Sequence, residues 1–121
     1  MSLLMSLQIL DHPTTGFEAG ETIVKEATPG GKVFVLKEGE VEVTLKGSSI
    51  ATISKPGEIF GEIASIKGCN YGATVTAKSD CTFFVIDNFI SYLKQHPEDS
   101  IKVLKNLCDR ITNMNENLTS Q

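Results

Sequence analysis

The stretch that decides the fold reads Pro56-Gly57-Glu58-Ile59-Phe60-Gly61-Glu62-Ile63-Ala64 and continues, after an interval, to Gly72-Ala73-Thr74-Val75-Thr76-Ala77. The Pro-Gly pair predicts a turn, and Gly61 permits the positive φ that a tight change of direction needs. Glu62 places a carboxylate in the first turn of a helix, where the helix dipole favours it. The pattern therefore predicts a strand, a one-turn helix, a loop and a second strand.

The short helix has an expected apolar face and an expected end. Ile63, Ala64 and Ile66 are predicted to form the apolar face, and Gly68 is predicted to end the helix. Backbone N–H groups at the start of such a helix have no helical partners and can bind an anion. A carboxylate beside them can accept hydrogen bonds from the hydroxyl groups of a ligand. The same residues also suit a plain connection between two strands, so both interpretations remain open here.

Short β-prone segments lie on both sides of this stretch. Strands are predicted over residues 22–24, 32–37, 40–46, 50–53 and 81–86, with turn signals between them. Alternation within 40–46 predicts that Val41, Val43 and Leu45 face inward. Strands at a spacing of about 8–12 residues are typical of an all-β sandwich or barrel.

The pattern becomes helical after the last strand. Asp87 is predicted to cap a helix over residues 88–95, whose Phe89, Ile90 and Leu93 share one face. Pro97 suits the first turn of a last helix that runs to about residue 118.

Because the predicted strands come first along the chain and the predicted helices come last, the sequence predicts an α+β segregation, namely a mainly β fold with flanking helices. We expect an antiparallel jelly-roll β-barrel plus C-terminal helices. The expected division is a leading helix or turn over residues 1–15, a β-barrel sensor domain over 16–96, and a C-terminal helix over 97–121.

The last helix carries a heptad pattern. The apolar residues that step 3, 4, 3, 4 are Leu104, Leu107, Ile111, Met114 and Leu118, which we call the seam. This spacing predicts a coiled-coil contact and hence a homodimer through the C-terminal helix. The alternative is that the stripe packs on the barrel of its own chain.

The stretch quoted at the outset resembles a known family motif. Phe60-Gly61-Glu62-Ile63-Ala64, followed by ten residues and Val75, resembles the phosphate-binding cassette of the cyclic nucleotide-binding domain family. This family is the sensor half of catabolite-activator-type regulators and of cyclic-nucleotide-dependent kinases and channels. The glycine-led strand that starts at Gly39 and the turn Pro56-Gly57 resemble further family motifs in order, so the resemblance covers roughly residues 16–110. We call residues 56–77 the cassette.

The resemblance implies a cyclic nucleotide such as cAMP as the ligand, and it assigns roles to cassette residues. Glu62 would accept a hydrogen bond from the ribose 2′-hydroxyl, although a solvated first-turn acid is the alternative. Backbone groups on the two sides of the cassette would surround the phosphate. The expected ligand-binding residues are Phe60, Gly61, Glu62, Ile63, Ala64, Tyr71, Gly72, Ala73 and Thr74.

The chain departs from the family pattern at Tyr71, where the family's cassette carries an arginine. The one arginine of the chain, Arg110, lies in the last helix. The planar, bidentate contact that phosphate oxygens favour is therefore not expected in the barrel, which predicts weakened phosphate recognition. Tyr71 could donate a single hydrogen bond, stack on a base, or be a plain loop aromatic. Lys67 could extend toward a phosphate.

Composition excludes several classes of function. A net charge of −4 argues against non-specific nucleic-acid binding, and no apolar run approaches the ~20 residues of a membrane span. Three widely spaced cysteines indicate neither a disulfide framework nor a zinc site, so we expect a cytoplasmic protein with reduced thiols. The two histidines, His12 and His96, form no metal-ligand or catalytic pattern, so we expect neither an enzyme nor a cofactor.

The function that the sequence favours is a stand-alone sensor module that binds a nucleotide-like small molecule. One alternative is a degenerate, non-binding module that acts in dimerisation or protein docking, which the tyrosine in the cassette favours. A second alternative is a truncated transcription regulator. The acidic charge and the end of the sequence at Gln121, before any helix-turn-helix, argue against it.

Overall fold

The computed structural model describes residues 3–105. Its helices are α1 (Leu3–Ile9), α2 (Glu62–Lys67) and α3 (Phe89–Gln95), and residues 97–105 form the described part of a further helix, α4. Its strands are β1 (Thr14–Phe17), β2 (Thr22–Val24), β3 (Val33–Glu38), β4 (Val41–Leu45), β5 (Ser48–Ile53), β6 (Ile59–Phe60), β7 (Thr74–Ala77) and β8 (Cys81–Ile86). Within the described range, no helix has the length and apolar character needed to cross a bilayer.

The strands form two four-stranded sheets. The first sheet has the order β1-β8-β3-β6, and the second has the order β2-β7-β4-β5. Every pairing is antiparallel, and strands that follow one another in the chain belong to different sheets except for β4 and β5, which form a hairpin. Two such sheets with helices beside them are a jelly-roll arrangement. The predicted fold class, mainly β with flanking helices, is confirmed.

Apolar side chains from both sheets fill the space between them. The fully buried ring of Phe83 lies edge-to-face against Phe17, Phe34 and Phe60, with ring centroids 5.7 to 6.1 Å apart. Edge-to-face contacts of this kind add to the stability that comes from burying the rings. The buried apolar residues of the second sheet are Val24, Val41, Val75 and Ala77.

A second apolar core lies between the outer face of the first sheet and the helices. Leu7 of α1 and Phe89 of α3 are fully buried there, against Val33 and Val35 of β3. The first sheet is therefore covered on both faces, which explains why residues 33–36 form a continuous buried run instead of an alternation. The leading segment, predicted to be a helix or a turn, is helical over Leu3–Ile9.

The prediction for α3 needs two corrections. Asn88, not Asp87, caps this helix, because the side-chain oxygen of Asn88 accepts a hydrogen bond from the Ser91 N–H at 3.0 Å. Ile90 was predicted to share one face with Phe89 and Leu93, but it is 44% exposed, whereas Phe89 is fully buried and Tyr92 is 8% exposed. At 3.6 residues per turn, the face that begins at Phe89 continues three residues later at Tyr92, and Ile90 lies about 100° away from it.

Two predictions for the strands were also incomplete. Leu45 was expected to face inward but is 40% exposed, whereas Val41 is fully buried. Leu45 is the last residue of β4 and lies beyond Thr44, the last residue of this strand that pairs with β7, so β7 does not cover it. The sequence did not predict β1, whose four residues become a strand by pairing with the distant β8.

Candidate functional site

The entrance to α2 depends on a glycine. Gly61 has φ 88° and ψ 4°, in the left-handed region, as predicted. A Cβ atom at this position would lie 2.8 Å from the carbonyl oxygen of Lys32 and 2.9 Å from Cε1 of Tyr71. Cβ atoms do not lie this close to other heavy atoms in proteins. Only glycine therefore lets the chain pass between Lys32 and Tyr71 and begin the helix.

Ala64 packs α2 closely against Gly30. Ala64 is 4% exposed, and a Cβ atom added to Gly30 would lie only 2.5 Å from the Ala64 Cβ. Gly68 ends the helix with φ 70°, as predicted, and its N–H donates to the Ala64 carbonyl at 2.9 Å. The predicted apolar face is wrong for Ile63 and Ile66, which are 52% and 41% exposed, because the buried residues of this short helix are Glu62 and Ala64.

Glu62, the first residue of α2, is buried, with 4% of its surface exposed. The alternative interpretation, a solvated first-turn acid, is therefore wrong. Glu62 follows directly on β6, both residues of which are buried, so the helix starts inside the domain and not on its surface. Glu62 is also one of the residues that line the cleft described next.

A cleft of about 580 Å³ lies between the cassette and the second sheet. Volumes of this size are typical of sites for small molecules. The predicted ligand-binding residues that line it are Phe60, Gly61, Glu62, Ile63, Ala64, Tyr71, Gly72 and Ala73.

Thr74 is the predicted site residue that does not line the cleft. Its hydroxyl donates to Glu26 Oε1 at 3.1 Å and accepts from the Glu26 backbone N–H at 3.1 Å. The same Glu26 carboxylate accepts a hydrogen bond from the backbone N–H of Lys46. Because neighbouring residues of a strand face opposite sides, Val75 faces the cleft and Thr74 instead stabilises the loops beside β7.

The apolar wall of the cleft was not predicted as part of the site. Its residues come from five strands and are Val24, Val43, Ile50, Ile53, Ile59 and Val75. The alternation over residues 40–46 indicated that Val43 faces inward. It did not indicate that this interior opens into a cleft, because the opening depends on where α2 lies.

Tyr71 is held in place by four hydrogen bonds. Its hydroxyl donates to the Lys32 carbonyl at 2.8 Å and accepts from the Lys32 N–H at 3.1 Å. Its backbone N–H donates to the Thr28 carbonyl, and its carbonyl accepts from the Ala27 N–H, both at 2.9 Å. Tyr71 thus lies outside the strands, connects the cassette to the start of β3, and has its ring against Gly61.

The charged side chains that line the cleft within residues 3–105 are both acidic, Glu58 and Glu62. The Lys32 ammonium lies 3.9 Å from the carboxylate of Asp87. Lys67, at the end of α2, is exposed and is not among the lining residues.

A separate polar cluster joins α1, α3 and α4. Asp99 is 3% exposed and accepts hydrogen bonds from Tyr92 Oη at 2.9 Å and Ser6 Oγ at 3.1 Å. Lys102 Nζ lies 3.8 Å from the same carboxylate. Burial and, after it, the hydrogen bond to Asp99 raise the pKa of Tyr92 well above its usual value. This cluster ties the helices together away from the cassette and borders a second cleft of about 520 Å³.

The two histidines both contact the ring of Tyr92, at centroid distances of 6.1 Å for His12 and 4.4 Å for His96. Among the described residues, no group of three or more His, Cys, Asp or Glu side chains could hold a metal ion.

Only one residue of the predicted dimer seam is described, Leu104, which is 60% exposed. The other seam residues, Leu107, Ile111, Met114 and Leu118, lie outside the described residues.

Comparison with known proteins agrees with the fold and the cassette. Residues 14–96 match the family model described as cyclic nucleotide-binding domain. The cGMP-dependent protein kinase egl-4 of Caenorhabditis briggsae is 32% identical over 72 residues, which are 60% of this chain and 10% of that protein. The catabolite activator protein of Thermus thermophilus superposes with a TM-score of 0.80 at 18% identity, over 95% of this chain and 57% of that chain. The cAMP-bound PfPKA-R structure superposes with a TM-score of 0.68 at 27% identity, over 86% of this chain and 36% of that chain.

These similarities carry different weight. At 18% identity, the likeness to the catabolite activator protein shows the fold alone. The chain spans about a tenth of the length of the curated kinase that it matches. The family model, by contrast, covers more than half of the chain and includes the whole cassette. This chain therefore belongs to the cyclic nucleotide-binding domain family.

Proposed function

We propose that this domain is a ligand sensor whose cleft binds a nucleotide-like small molecule. The observation that carries the proposal is the cleft itself, since every predicted ligand-binding residue except Thr74 lines it. Gly61 gives α2 its sharp start, and the buried Glu62 stands beside the first backbone N–H groups of that helix. Relatives named for cGMP and a similar structure named for bound cAMP support a ligand of the nucleotide class.

Phosphate recognition is weakened in this proposal because Tyr71 replaces an arginine. A guanidinium can make two parallel, charge-assisted hydrogen bonds to a phosphate, whereas a phenol hydroxyl can make one neutral bond. In this structure the hydroxyl of Tyr71 already uses its donor on the Lys32 carbonyl. The backbone N–H groups at the start of α2 remain as the contribution of the cassette to an anion.

A second candidate function is a docking module that no longer binds a ligand. The observation that favours it is again Tyr71, whose two hydroxyl bonds to Lys32 connect the cassette to the start of β3. In either case the proposed role is binding and not catalysis.

We expect the domain to pair through α4. Ile101 and Leu104 on this helix are 57% and 60% exposed, as an apolar contact surface requires. The rest of the seam and the cytoplasmic location stay predictions from the sequence.

The proposal is tested by ligand-induced stabilisation in a variant whose cleft is filled. A Cβ atom at Gly72 would meet no atom within 4 Å, so Gly72→Phe should fold and place its ring in the cleft that Gly72 lines. Gly31→Phe is the matched control, since a Cβ atom there is equally free and Gly31 does not line the cleft. The ligands are a panel of cyclic nucleotides, linear nucleotides and nucleosides.

At a ligand concentration of about 100 Kd, a ligand that binds only the native state adds about 2.7 kcal/mol and raises Tm. We expect at least one ligand of the panel to raise Tm of the wild type and of Gly31→Phe but not of Gly72→Phe. If the whole panel leaves the wild type unchanged, the sensor proposal fails and the docking module replaces it. An equal rise in Gly72→Phe would show that the ligand binds elsewhere.

A further inference from the structure

Residues 27–32, which lead into β3 and which we call the flanking segment, run antiparallel to the loop that leaves α2. The Gly30 N–H donates to the Cys69 carbonyl at 3.2 Å. Pro29 and Asn70 form an antiparallel β-bridge. Together with the backbone bonds of the tyrosine in the cassette, these contacts make a short ladder that is separate from the two sheets.

The flanking segment contacts α2 at both the start and the middle of the helix. At the start, a Cβ atom added to Gly61 would lie 2.8 Å from the Lys32 carbonyl oxygen. In the middle, a Cβ atom added to Gly30 would lie 2.5 Å from the Ala64 Cβ. A helix of six residues is too short to be stable by itself, so its position depends on such contacts.

The flanking segment has a backbone conformation that its own sequence disfavours. Ala27 has φ 63°, in the left-handed region, where the Cβ atom of an alanine is crowded. The Ala27 N–H donates to the Tyr71 carbonyl at 2.9 Å. A residue in such a conformation persists only where the surrounding contacts determine it, and here the contact is with the cassette.

The Tyr71 side chain adds a second connection between the cassette and the flanking segment. Its hydroxyl donates to the Lys32 carbonyl at 2.8 Å and accepts from the Lys32 N–H at 3.1 Å. One hydroxyl thus bonds both backbone groups of the residue that directly precedes β3. Because the ring also lies against Gly61, the same side chain contacts the start of α2 and the end of the flanking segment.

We propose that Tyr71 is a positioning residue whose hydroxyl makes α2 and the flanking segment open and close as one cooperative unit. This inference rests on the proposed function, since it concerns how the wall of the same cleft is held, and Gly61, Ala64 and Tyr71 all belong to that wall. A wall that the chain's own bonds position loses less conformational freedom when a ligand binds, which favours affinity.

Amide hydrogen exchange of the protein with no ligand added tests the inference, under conditions where the exchange rate reports the opening equilibrium. The amides compared are those of Gly30 in the flanking segment and of Ser65 and Gly68, whose N–H groups donate to carbonyls of the cassette. Tyr71→Phe keeps the ring and removes only the two hydroxyl bonds. We expect all three amides to exchange faster in this variant by a similar factor, about 5- to 30-fold for two solvent-accessible hydrogen bonds.

Tyr92→Phe is the matched control, because it removes a phenol hydroxyl that bonds Asp99 in the helical cluster, away from the cassette. It should lower the stability of the whole domain but leave the exchange of these three amides unchanged. Equal acceleration in both variants would overturn the inference, since the exchange would then report global stability alone.

Two other results would also overturn it. Acceleration at Gly30 with no change at Ser65 and Gly68 would show that the flanking segment opens without α2. Unchanged exchange of all three amides in Tyr71→Phe would show that the hydroxyl does not position either segment. Since no ligand is added, these outcomes are distinct from a failure of the ligand panel to raise Tm, which would end the proposed function.

Discussion

Replacing Tyr71 by arginine tests two effects of this residue, on the affinity of the cleft for a phosphate and on the stability of the fold. Tyr71→Arg adds a guanidinium at the position where the family's cassette carries one, and it removes two hydroxyl bonds to Lys32, of 2.8 and 3.1 Å. A charge-assisted bidentate pair contributes roughly 1.5–3 kcal/mol, so the affinity for cAMP should rise by about 10- to 150-fold. Loss of two neutral, solvent-accessible hydrogen bonds should lower the unfolding free energy by about 1–2 kcal/mol, or Tm by about 3–8 °C.

Calorimetry measures the gain in affinity, and urea unfolding measures the loss of stability. Tyr71→Phe is the control, since it removes the same two bonds without adding a cation and should lose stability without gaining affinity. Tyr71→Lys should gain less than Tyr71→Arg, because an ammonium cannot make a planar two-point contact. A folded Tyr71→Arg variant with no higher affinity for cAMP than Tyr71→Phe would refute the reasoning, because the cassette would then not present residue 71 to a phosphate.

Three further predictions concern other residues. Because the pKa of Tyr92 is raised in the folded state, its stabilising contribution is complete below the unfolded pKa of about 10 and is lost as pH rises above it. The unfolding free energy measured with urea should therefore fall more steeply between about pH 9 and 11 for the wild type than for Tyr92→Phe. An equal fall in the two proteins would contradict this. Glu62→Gln should weaken binding of a ribonucleoside in calorimetry by about 5- to 30-fold but hardly affect its 2′-deoxy analogue, and equal losses would show that Glu62 does not contact the 2′-hydroxyl. Leu104→Asp should shift sedimentation toward the monomer while Ile90→Asp, at an exposed position of α3, should not; a wild type that is monomeric at high micromolar concentration would end the dimer hypothesis.

The parts of the fold that sequence predicted are those that local chemistry decides. Gly61 and Gly68 have the positive φ values expected of a tight helix start and a helix end. The strands on both sides of the cassette follow from β-prone runs between turn signals. Where two adjacent residues both suit a position, the prediction is wrong by one residue. At the start of α3, the cap is Asn88 and not the adjacent Asp87, although both residue types are good N-caps.

The character of the site depends on contacts between distant residues, which the sequence does not show. Tyr71 and Lys32 are 39 positions apart, so nothing local indicates that the tyrosine hydroxyl binds this backbone. Thr74 looked like a ligand contact from its place in the cassette, but its partner Glu26 lies 48 positions away. The burial of Glu62 follows from where α2 lies against the sheets, and an acid at a helix start would otherwise be expected in water.

The central claim is that a nucleotide-like ligand binds between α2 and the second sheet. Backbone amide NMR during titration with adenosine tests it most directly, because each amide reports its own surroundings. We predict saturable shifts at the amides of Gly61, Ile63 and Gly72, which line the cleft, and unchanged amides at Leu7 of α1 and Val103 of α4. Shifts confined to the residues around the second cleft, beside Ser6 and His96, would contradict the claim.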